Sequence, residues 1–236
     1  MTDRLTIRAL HDHIGILPHV PGYGTAFGPK SKAAMRAKLT NLKAPALTEQ
    51  DFTVFASRLN VPVSYIKGVR KVEAPRGAFT EDGRPTDLYE RHVAYRNALA
   101  RTTLAKQRPD LFNPKGYGPG GYGPYSAQFD KMADACAYDP EAALCGVSWG
   151  AFQVLGENWR GLGYSGVWDM VSSLTESEAA HLDCFVRFLA MKSIEDEFRA
   201  CRPGDPDSCI PFVSKYNGSG FRKFGYHIKL AQAIKG

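Results

Sequence analysis

Glu73 is an acidic side chain that the sequence places among apolar ones. A helix that starts at Pro62 carries apolar residues at helical spacing, and Glu73 projects between Ile66 and Val69 on the same face. Pro75 then ends the helix, so the carboxyl group lies near its last turn. Such a carboxyl group is a packing fault, a hydrogen-bond hub or a general acid, and other parts of the chain must decide between these.

A second carboxylate is available from the segment that follows Glu73. The stretch GAFTEDGRPTDLYERH contains four acidic residues: Glu81, Asp82, Asp87 and Glu90. Asp82 and the glycine after it predict a β-hairpin turn, and the turn is expected to use the Asp82 side chain for local hydrogen bonds. Glu81, Asp87 and Glu90 stay open as the second carboxylate, and an ion pair with Arg91 or Arg96 is an alternative role for Glu90.

Helix signals dominate the chain outside this hairpin. Thr48 caps one predicted helix and Asp139 caps another. Thr175 and Glu178 form a capping box that predicts a longer helix reaching to about residue 200. The expected fold is therefore mainly α (α+β), with a single small β-hairpin.

The domain organisation follows from the same pattern. Residues 1–42 predict a small helical module, residues 43–47 a linker, and residues 48–236 one helical domain. Basic residues concentrate in the module: residues 1–43 hold seven Lys and Arg against two acidic residues, out of a net charge of +6. A basic appendage on a nearly neutral body suggests a polyanionic partner, and a merely solvated basic face is the alternative.

The cysteine spacing and the hydropathy of the chain bear on metal sites, disulfides and membrane segments. The five cysteines lack CxxC spacing and no HExxH motif accompanies them, so we expect no metal site. A reduced, structural role is favoured for all five, although Cys201 and Cys209 bracket a loop that a disulfide could close. No stretch approaches the roughly 18 apolar residues of a membrane span. The first 20 residues also lack the apolar segment of a Sec signal peptide.

Three motifs in a fixed order resemble a known superfamily. Glu73 at its helix end, SWGAFQVLG at 148–156 and YNGSG at 216–220 resemble the lysozyme-like peptidoglycan glycosidases. More narrowly, EAPRGAFTEDGRPTDLYERHVAYR, SWGAFQVLG and FVSKYNGSGFRKFGYHIKLAQA resemble the N-acetylmuramidase domain of phage endolysins, over about residues 47–235. The chain departs from that family directly after Glu73, where it reads Glu-Ala-Pro-Arg-Gly-Ala-Phe and the family usually reads Glu-Ser-x-Gly-x-Gly-Phe.

The resemblance implies a muramidase that cuts the β-1,4 bond between N-acetylmuramic acid and N-acetylglucosamine without a cofactor. Glu73 is then the general acid, because apolar surroundings keep a carboxyl group protonated near neutral pH. Glu90, in the Leu-Tyr-Glu-Arg-His run that matches the family, is the expected second carboxylate. Some members of the superfamily work with a single glutamate, so a site without a second carboxylate is the alternative. The expected substrate-binding residues are Ser148, Gln153, Tyr216, Asn217 and Tyr122. We expect Ser148 and Gln153 to share a glycine-containing helix, and the tyrosines of GYGPGGYGPY either to stack on a glycan or to belong to a plain turn cluster.

Residues 1–42 resemble a shortened peptidoglycan-binding module. The run IRALHDHIGIL followed by GTAFGPKSKAAMRAKL has the helix, glycine-rich turn and second helix of that module. Binding to an anionic envelope surface and docking on the catalytic domain are both open. We expect a monomer that binds no nucleic acid, is made in the host cytoplasm without a Sec signal, and acts at the cell wall or periplasm after release. A phage endolysin is the favoured setting and a secreted antibacterial effector is the alternative, and the sequence alone does not separate the two.

Other functions fit the same motifs. A lytic transglycosylase would use Glu73 to form a 1,6-anhydro product, although the GRPTDLYERH run favours hydrolysis. A non-catalytic wall-binding protein on a decayed scaffold is a second alternative. Retention of Glu73, Gln153 and YNGSG together argues against decay. Cleavage of chitin is a further substrate variant.

Overall fold

Helices make up most of the structure, a computed structural model that describes residues 4–236. The described helices are α1 (Ile7–Ile14), α2 (Pro29–Leu39), α3 (Glu49–Leu59), α4 (Val63–Glu73), α5 (Arg91–Asn97), α6 (Arg101–Gln107), α7 (Gln128–Ala135), α8 (Pro140–Cys145), α9 (Val167–Ser173), α10 (Glu178–Lys192), α11 (Glu195–Arg199), α12 (Pro206–Tyr216), α13 (Phe221–Phe224) and α14 (Tyr226–Ala233). The mainly α fold predicted from the sequence is confirmed.

The β-structure is a three-stranded antiparallel sheet in the order β1-β2-β3. The strands are β1 (Asp87–Tyr89), β2 (Val147–Trp149) and β3 (Val154–Leu155). The predicted turn is present, since Thr80 N donates to Arg84 O at 2.8 Å. Pairing across it stops after one bridge between Phe79 and Pro85. Beyond this bridge the chain leaves the hairpin, and β1 pairs with the distant β2.

The capping box predicted at Thr175 is wrong. The N-cap of α10 is Ser177, whose extended backbone lets its Oγ accept a hydrogen bond from Ala180 N at 3.1 Å. Thr175 instead donates to Ser172 O at the end of α9. The helix also stops at Lys192, because Ser193 adopts a left-handed conformation with φ of 50°. A short separate helix, α11, covers the remainder of the predicted span.

The N-terminal segment packs directly on the helical domain. Three of its basic residues form ion pairs with acidic residues of that domain: Arg4–Asp139 (2.7 Å), Lys32–Asp134 and Arg36–Asp82 (2.9 Å). Leu10, Met35 and Leu39 are at most 1% exposed and belong to the same apolar core as the larger domain. The rings of His13 and Trp168 stack with 5.6 Å between their centroids.

Several other features bear on the class of protein. All five cysteines are free and buried, including Cys201 and Cys209. None of the helices within residues 4–236 combines the length and the apolar composition that crossing a membrane requires. Within the same range, no His, Cys, Asp and Glu side chains gather into a group of three or more that could hold a metal ion.

Candidate active site

Glu73 is the last residue of α4, and its carboxyl group opens into a cleft of about 870 Å³. The residue as a whole is half-buried. Burial raises the pKa of its carboxyl group from 4.5 to about 7, against the lowering effects of Asn217 and Lys229. Asn217 Nδ2 donates a hydrogen bond to Glu73 Oε1 at 2.8 Å. The carboxyl group is therefore poised to hold or release a proton near neutral pH.

A close approach of two helices builds the wall around Glu73. A Cβ atom at Gly68 of α4 would lie 2.7 Å from Ile234 Cγ2, so only glycine lets α14 pack this closely. Ser64 Oγ also donates to Ile234 O at 3.0 Å. This contact brings Tyr226, the first residue of α14, to the cleft. Burial and the charges of Glu73 and Glu90 raise the pKa of Tyr226 to about 12, which places this phenol near both carboxyl groups.

Glu90 lines the opposite wall of the cleft, directly after β1. Its Oε1 accepts a hydrogen bond from Ser148 Oγ at 2.6 Å, and its Oε2 accepts one from Tyr122 Oη at 3.1 Å. His92 Nε2 lies 3.8 Å from Oε2. Burial lowers the pKa of His92, against the raising effect of the Glu90 charge. The carboxylate is thus oriented by two hydroxyl donors with an imidazole ring close by.

The other acidic residues of the segment after Glu73 lie away from the cleft. Asp82 belongs to its turn, as predicted. Partial burial opposes the shift, but hydrogen bonds from Arg84, Thr80 and Arg36 lower the pKa of Asp82 to about 2. Asp87 is buried 3.7 Å from Arg84, and burial raises its pKa to about 6. Among the four acidic candidates, the described cleft lining includes Glu90 alone.

Ser148 and Gln153 lie on the β2–β3 hairpin, and the prediction that they share a helix is wrong. Gly150–Phe152 form a 3₁₀ turn between the strands, and Gln153 ends it with φ of 49°. The sheet register places Ser148 opposite Leu88, which also faces the cleft. Short strands with a glycine turn replace the helix because Gly150, with φ of 69°, cannot continue helical geometry.

His181 packs against the turn of this hairpin and stabilises it, a role that the sequence did not predict. A Cβ atom at Gly150 would lie 2.6 Å from His181 Nδ1, so the backbone and the imidazole ring are in close contact. Nδ1 accepts a hydrogen bond from Ala151 N at 3.0 Å, and Nε2 donates to Leu174 O at 2.6 Å. Burial lowers the pKa of His181 to about 4, so the ring is neutral and both nitrogens are used.

Tyr216 and Asn217 close the site from the end of α12. Tyr216 Oη donates to Phe152 O at 2.5 Å, which joins α12 to the β2–β3 hairpin. Burial and the Glu73 charge raise the pKa of Tyr216, so the phenol stays protonated and remains a donor. Asn217 follows the last residue of the helix and turns its amide towards Glu73.

One cleft therefore brings together the seven residues expected to act in catalysis or substrate binding: Glu73, Glu90, Tyr122, Ser148, Gln153, Tyr216 and Asn217. Tyr125, another tyrosine of the glycine-rich run, lies outside its lining. Trp149, Phe152 and Trp159 are buried, as expected for core residues. Sequence reasoning did not single out three other lining residues: His92, Phe224 and Tyr226. The aromatic residues of the FRKFGY run could have indicated two of these, Phe224 and Tyr226.

Comparison with known proteins agrees with this geometry. A muramidase family model, described as N-acetylmuramidase, matches residues 62–236. The chain belongs to the N-acetylmuramidase family. It is a glycoside hydrolase of the peptidoglycan-degrading type, with a lysozyme-like fold. The family match begins after the N-terminal segment, so the resemblance of residues 1–42 to a wall-binding module stays a prediction.

This muramidase is also similar to a solved structure, the crystal structure of Burkholderia AP3 phage endolysin. The two chains are 29% identical, the match covers 99% of this chain and 96% of that chain, and the TM-score is 0.69. The comparison with curated proteins gives no match. The structural similarity extends over the N-terminal segment as well as the muramidase domain.

Proposed function

We propose that this muramidase hydrolyses the β-1,4 bond between N-acetylmuramic acid and N-acetylglucosamine, with Glu73 as the general acid. The observation that carries the proposal is the Glu73 carboxyl group in the cleft wall, whose pKa burial raises to about 7. A carboxyl group with this pKa still holds a proton near neutral pH. It can deliver that proton to the glycosidic oxygen as the bond breaks.

Glu90 acts as the second carboxylate. Ser148 and Tyr122 hold its two oxygens, so the group faces the substrate in a fixed orientation. Burial and the Glu90 charge raise the pKa of Tyr122, and its phenol therefore stays a donor. A carboxylate in this position stabilises the oxocarbenium-like centre or activates the attacking water, the roles open to the second carboxylate of a glycosidase.

The remaining polar residues bind and orient. Gln153 lines the cleft from the hairpin turn, with its Nε2 donating to Gly150 O at 3.0 Å. Asn217 has a second role besides the substrate binding expected of it, because its amide orients the Glu73 carboxyl group. Tyr216 fixes the hairpin against α12, so that Gln153 and Asn217 keep their relative positions.

Mass spectrometry of the muropeptides released from purified peptidoglycan tests this assignment. The wild-type protein is expected to release products that end in a reducing N-acetylmuramic acid, and Glu73→Gln is expected to release none above background. Glu81→Gln is the matched control, because Glu81 is exposed and lies outside the cleft. Products lighter by one water would identify a lytic transglycosylase, and full activity of Glu73→Gln would contradict the role of Glu73.

A phage endolysin is the biological setting we propose. The similar AP3 protein is a phage endolysin, and the two chains match over nearly their whole lengths. The enzyme would then be made in the cytoplasm and reach peptidoglycan only when the membrane is breached. Expression in a bacterial host should cause lysis after the inner membrane is permeabilised and not before. Lysis of cells with intact membranes would contradict this setting.

We infer that residues 1–42 form a docked module of the enzyme. Arg4, Lys32 and Arg36 are engaged by the muramidase domain. The positive charge that remains for an anionic envelope surface comes from Arg8, Lys30, Lys38 and Lys43. Sedimentation of Glu73→Gln with peptidoglycan sacculi tests the envelope role. Reversing the charge of Lys30 and Lys38 together is expected to weaken binding, whereas unchanged binding would leave docking as the only role.

A further inference from the structure

Two exposed aromatic side chains face each other at the rim of the cleft. Tyr117 is 54% exposed and Phe224 is 39% exposed, and their rings stack with 6.2 Å between centroids and 28° between planes. Of the eight large apolar side chains exposed within residues 4–236, these two are the ones that line the cleft. Exposed apolar surface concentrated at a cleft marks a place where a ligand is bound.

The Tyr117 side of this pair is held rigidly by Arg91. This arginine is 3% exposed, and its guanidinium donates to four backbone carbonyl groups, three in the glycine-rich segment and one, that of Pro109, just before it. The acceptors are Lys115 O (2.8 Å), Pro109 O (3.0 Å), Pro119 O (2.8 Å) and Tyr117 O (2.8 Å). The planar guanidinium group of Arg91 donates to four carbonyl groups at once, and this fixes a loop that has no regular secondary structure of its own.

Two further side chains complete the anchoring of the loop. Gln128 Nε2 donates to Tyr122 O at 2.7 Å and to Pro124 O at 2.9 Å. Lys131 Nζ donates to Gly121 O in the same loop. The glycine, proline and tyrosine run is therefore a fixed wall of the cleft. This favours the interpretation that Tyr117 and Tyr122, its two tyrosines in the cleft lining, contact substrate.

The aromatic pair is continuous with the Glu90 side of the cleft. The rings of Tyr117 and Tyr122 meet edge to face with 5.3 Å between centroids, and Tyr122 donates to Glu90. Lys223 Nζ lies 4.9 Å from the centroid of the Tyr117 ring and 5.6 Å from that of Phe224. A sugar ring resting on the pair would extend directly from the position of the reacting carboxylates.

We propose that Tyr117 and Phe224 form a stacking platform for an N-acetylated hexosamine ring beside the cleavage point, with Arg91 as the positioning residue for its Tyr117 half. The apolar C–H face of a pyranose packs on aromatic rings, and the acetamido group stays free for hydrogen bonds with polar lining residues. This inference rests on the proposed function, since it assigns a subsite to the same cleft.

Titration calorimetry of a peptide-free oligosaccharide of alternating N-acetylglucosamine and N-acetylmuramic acid tests the platform. All proteins carry Glu73→Gln, so that no substrate is consumed. Tyr117→Ala and Phe224→Ala are each expected to raise Kd by roughly three- to tenfold, the range of aromatic stacking contacts. The double variant should raise it by less than the product of the two effects, because the rings form one surface.

Tyr138→Ala is the matched control, since Tyr138 is an exposed aromatic residue outside the cleft. Its Kd is expected to stay at the value of the Glu73→Gln background. A Kd within twofold of that background for both Tyr117→Ala and Phe224→Ala overturns the platform. Absence of oligosaccharide binding by the background protein overturns it as well.

Arg91→Lys tests the positioning role. The variant is expected to raise Kd and to speed amide hydrogen exchange in residues 115–122, but to add nothing to Kd when Tyr117→Ala is already present. Arg187→Lys controls for the general effect of replacing an arginine, because Arg187 does not line the cleft. An equal rise in Kd with and without Tyr117 would show that Arg91 does not act through the platform.

The two proposals fail in different experiments. If the proposed function is wrong, the Glu73→Gln protein still releases muropeptides from peptidoglycan. Failure of the platform is seen in binding to a protein that already carries Glu73→Gln. If chemistry and platform are both correct, Tyr117→Ala in the active enzyme raises KM and leaves kcat close to wild type.

Discussion

Glu73 and Glu90 face the same cleft from walls of opposite character. The Glu73 wall is helical, and one amide, that of Asn217, donates to its carboxyl group while burial raises its pKa to about 7. The Glu90 wall combines a short sheet with a loop, and two hydroxyl groups hold its two oxygens. Two side chains of one type are thereby given different chemistry, because the surroundings determine which one keeps its proton.

The difference has its origin in the elements behind each wall. Close packing of α4 on α14 at Gly68 excludes water from the helical wall. The other wall ends a strand, and a loop anchored by Arg91 brings the Tyr122 hydroxyl to Glu90. Helix packing thus reduces solvent around Glu73, whereas the loop supplies a hydrogen-bond donor to Glu90. A proton donor and a charged partner can thus face each other across one cleft.

After the loss of Glu73 itself, the largest effect on catalysis is expected from removal of the Glu90 charge. Glu90→Gln keeps the shape of the side chain but leaves no carboxylate to stabilise the transition state, so kcat should fall by about 10²–10³-fold. Steady-state kinetics on purified peptidoglycan measures this loss. Glu157→Gln is a useful comparison, because Glu157 also lines the cleft but is paired with Arg96 at its edge. A kcat within a few-fold of wild type for Glu90→Gln would reduce the site to a single catalytic carboxyl group.

Glu73→Gln should make the protein more stable, and more so at higher pH. The pKa of Glu73 is about 7 in the folded chain against an ordinary value of 4.5. The folded state therefore holds the proton more tightly than the unfolded state, and wild-type stability falls as pH rises from about 4.5 to 7. A glutamine does not ionise, so the gain should be near zero at pH 4 and reach about 2–3 kcal/mol at pH 8.

Urea unfolding of both proteins across this pH range measures that gain. Glu90→Gln provides the contrast between the two walls, because it removes a hydrogen-bonded carboxylate and should destabilise by roughly 1 kcal/mol. A stability difference for Glu73→Gln that does not change with pH would show that Glu73 titrates normally. The two walls would then differ less than their structures indicate.

The sequence predicted the helical wall better than the other one. Local signals sufficed for α4: a proline at its start, an apolar face that includes Glu73, and a proline after its end. The sheet depends on pairing between β1 and β2, which lie far apart in the chain. The turn signal at Asp82 concerns only the local bridge between Phe79 and Pro85, so it did not reveal this pairing. Contacts across long separations, such as Ala151 N with His181, have no local signature either.

Removal of the Tyr122 hydroxyl should have a smaller effect. Tyr122→Phe keeps the ring in the loop but takes one donor from Glu90, so kcat/KM should fall by roughly three- to tenfold, as for one hydrogen bond to a charged group. Tyr164→Phe is the matched control, since Tyr164 is a half-buried tyrosine outside the cleft. An unchanged kcat/KM for Tyr122→Phe would mean that Ser148 alone is enough to orient Glu90.

The smallest and most specific effect is expected at Asn217. Its amide donates to Glu73 and lowers the pKa of that carboxyl group, against the dominant effect of burial. Asn217→Ala removes this donor, so the pKa should rise, and the alkaline limb of the pH–rate profile should move up by a few tenths to about one pH unit.

Activity at pH 8 would then decline less steeply in Asn217→Ala than in the wild type, even if its maximum rate is lower. Asn158→Ala is the control, because Asn158 also lines the cleft but donates to Leu155 O and does not contact Glu73. A limb that stays in place or moves to lower pH would show that another group sets the alkaline limit. Because general acid catalysis requires the protonated form, the direction of this shift identifies Glu73 as the group that titrates.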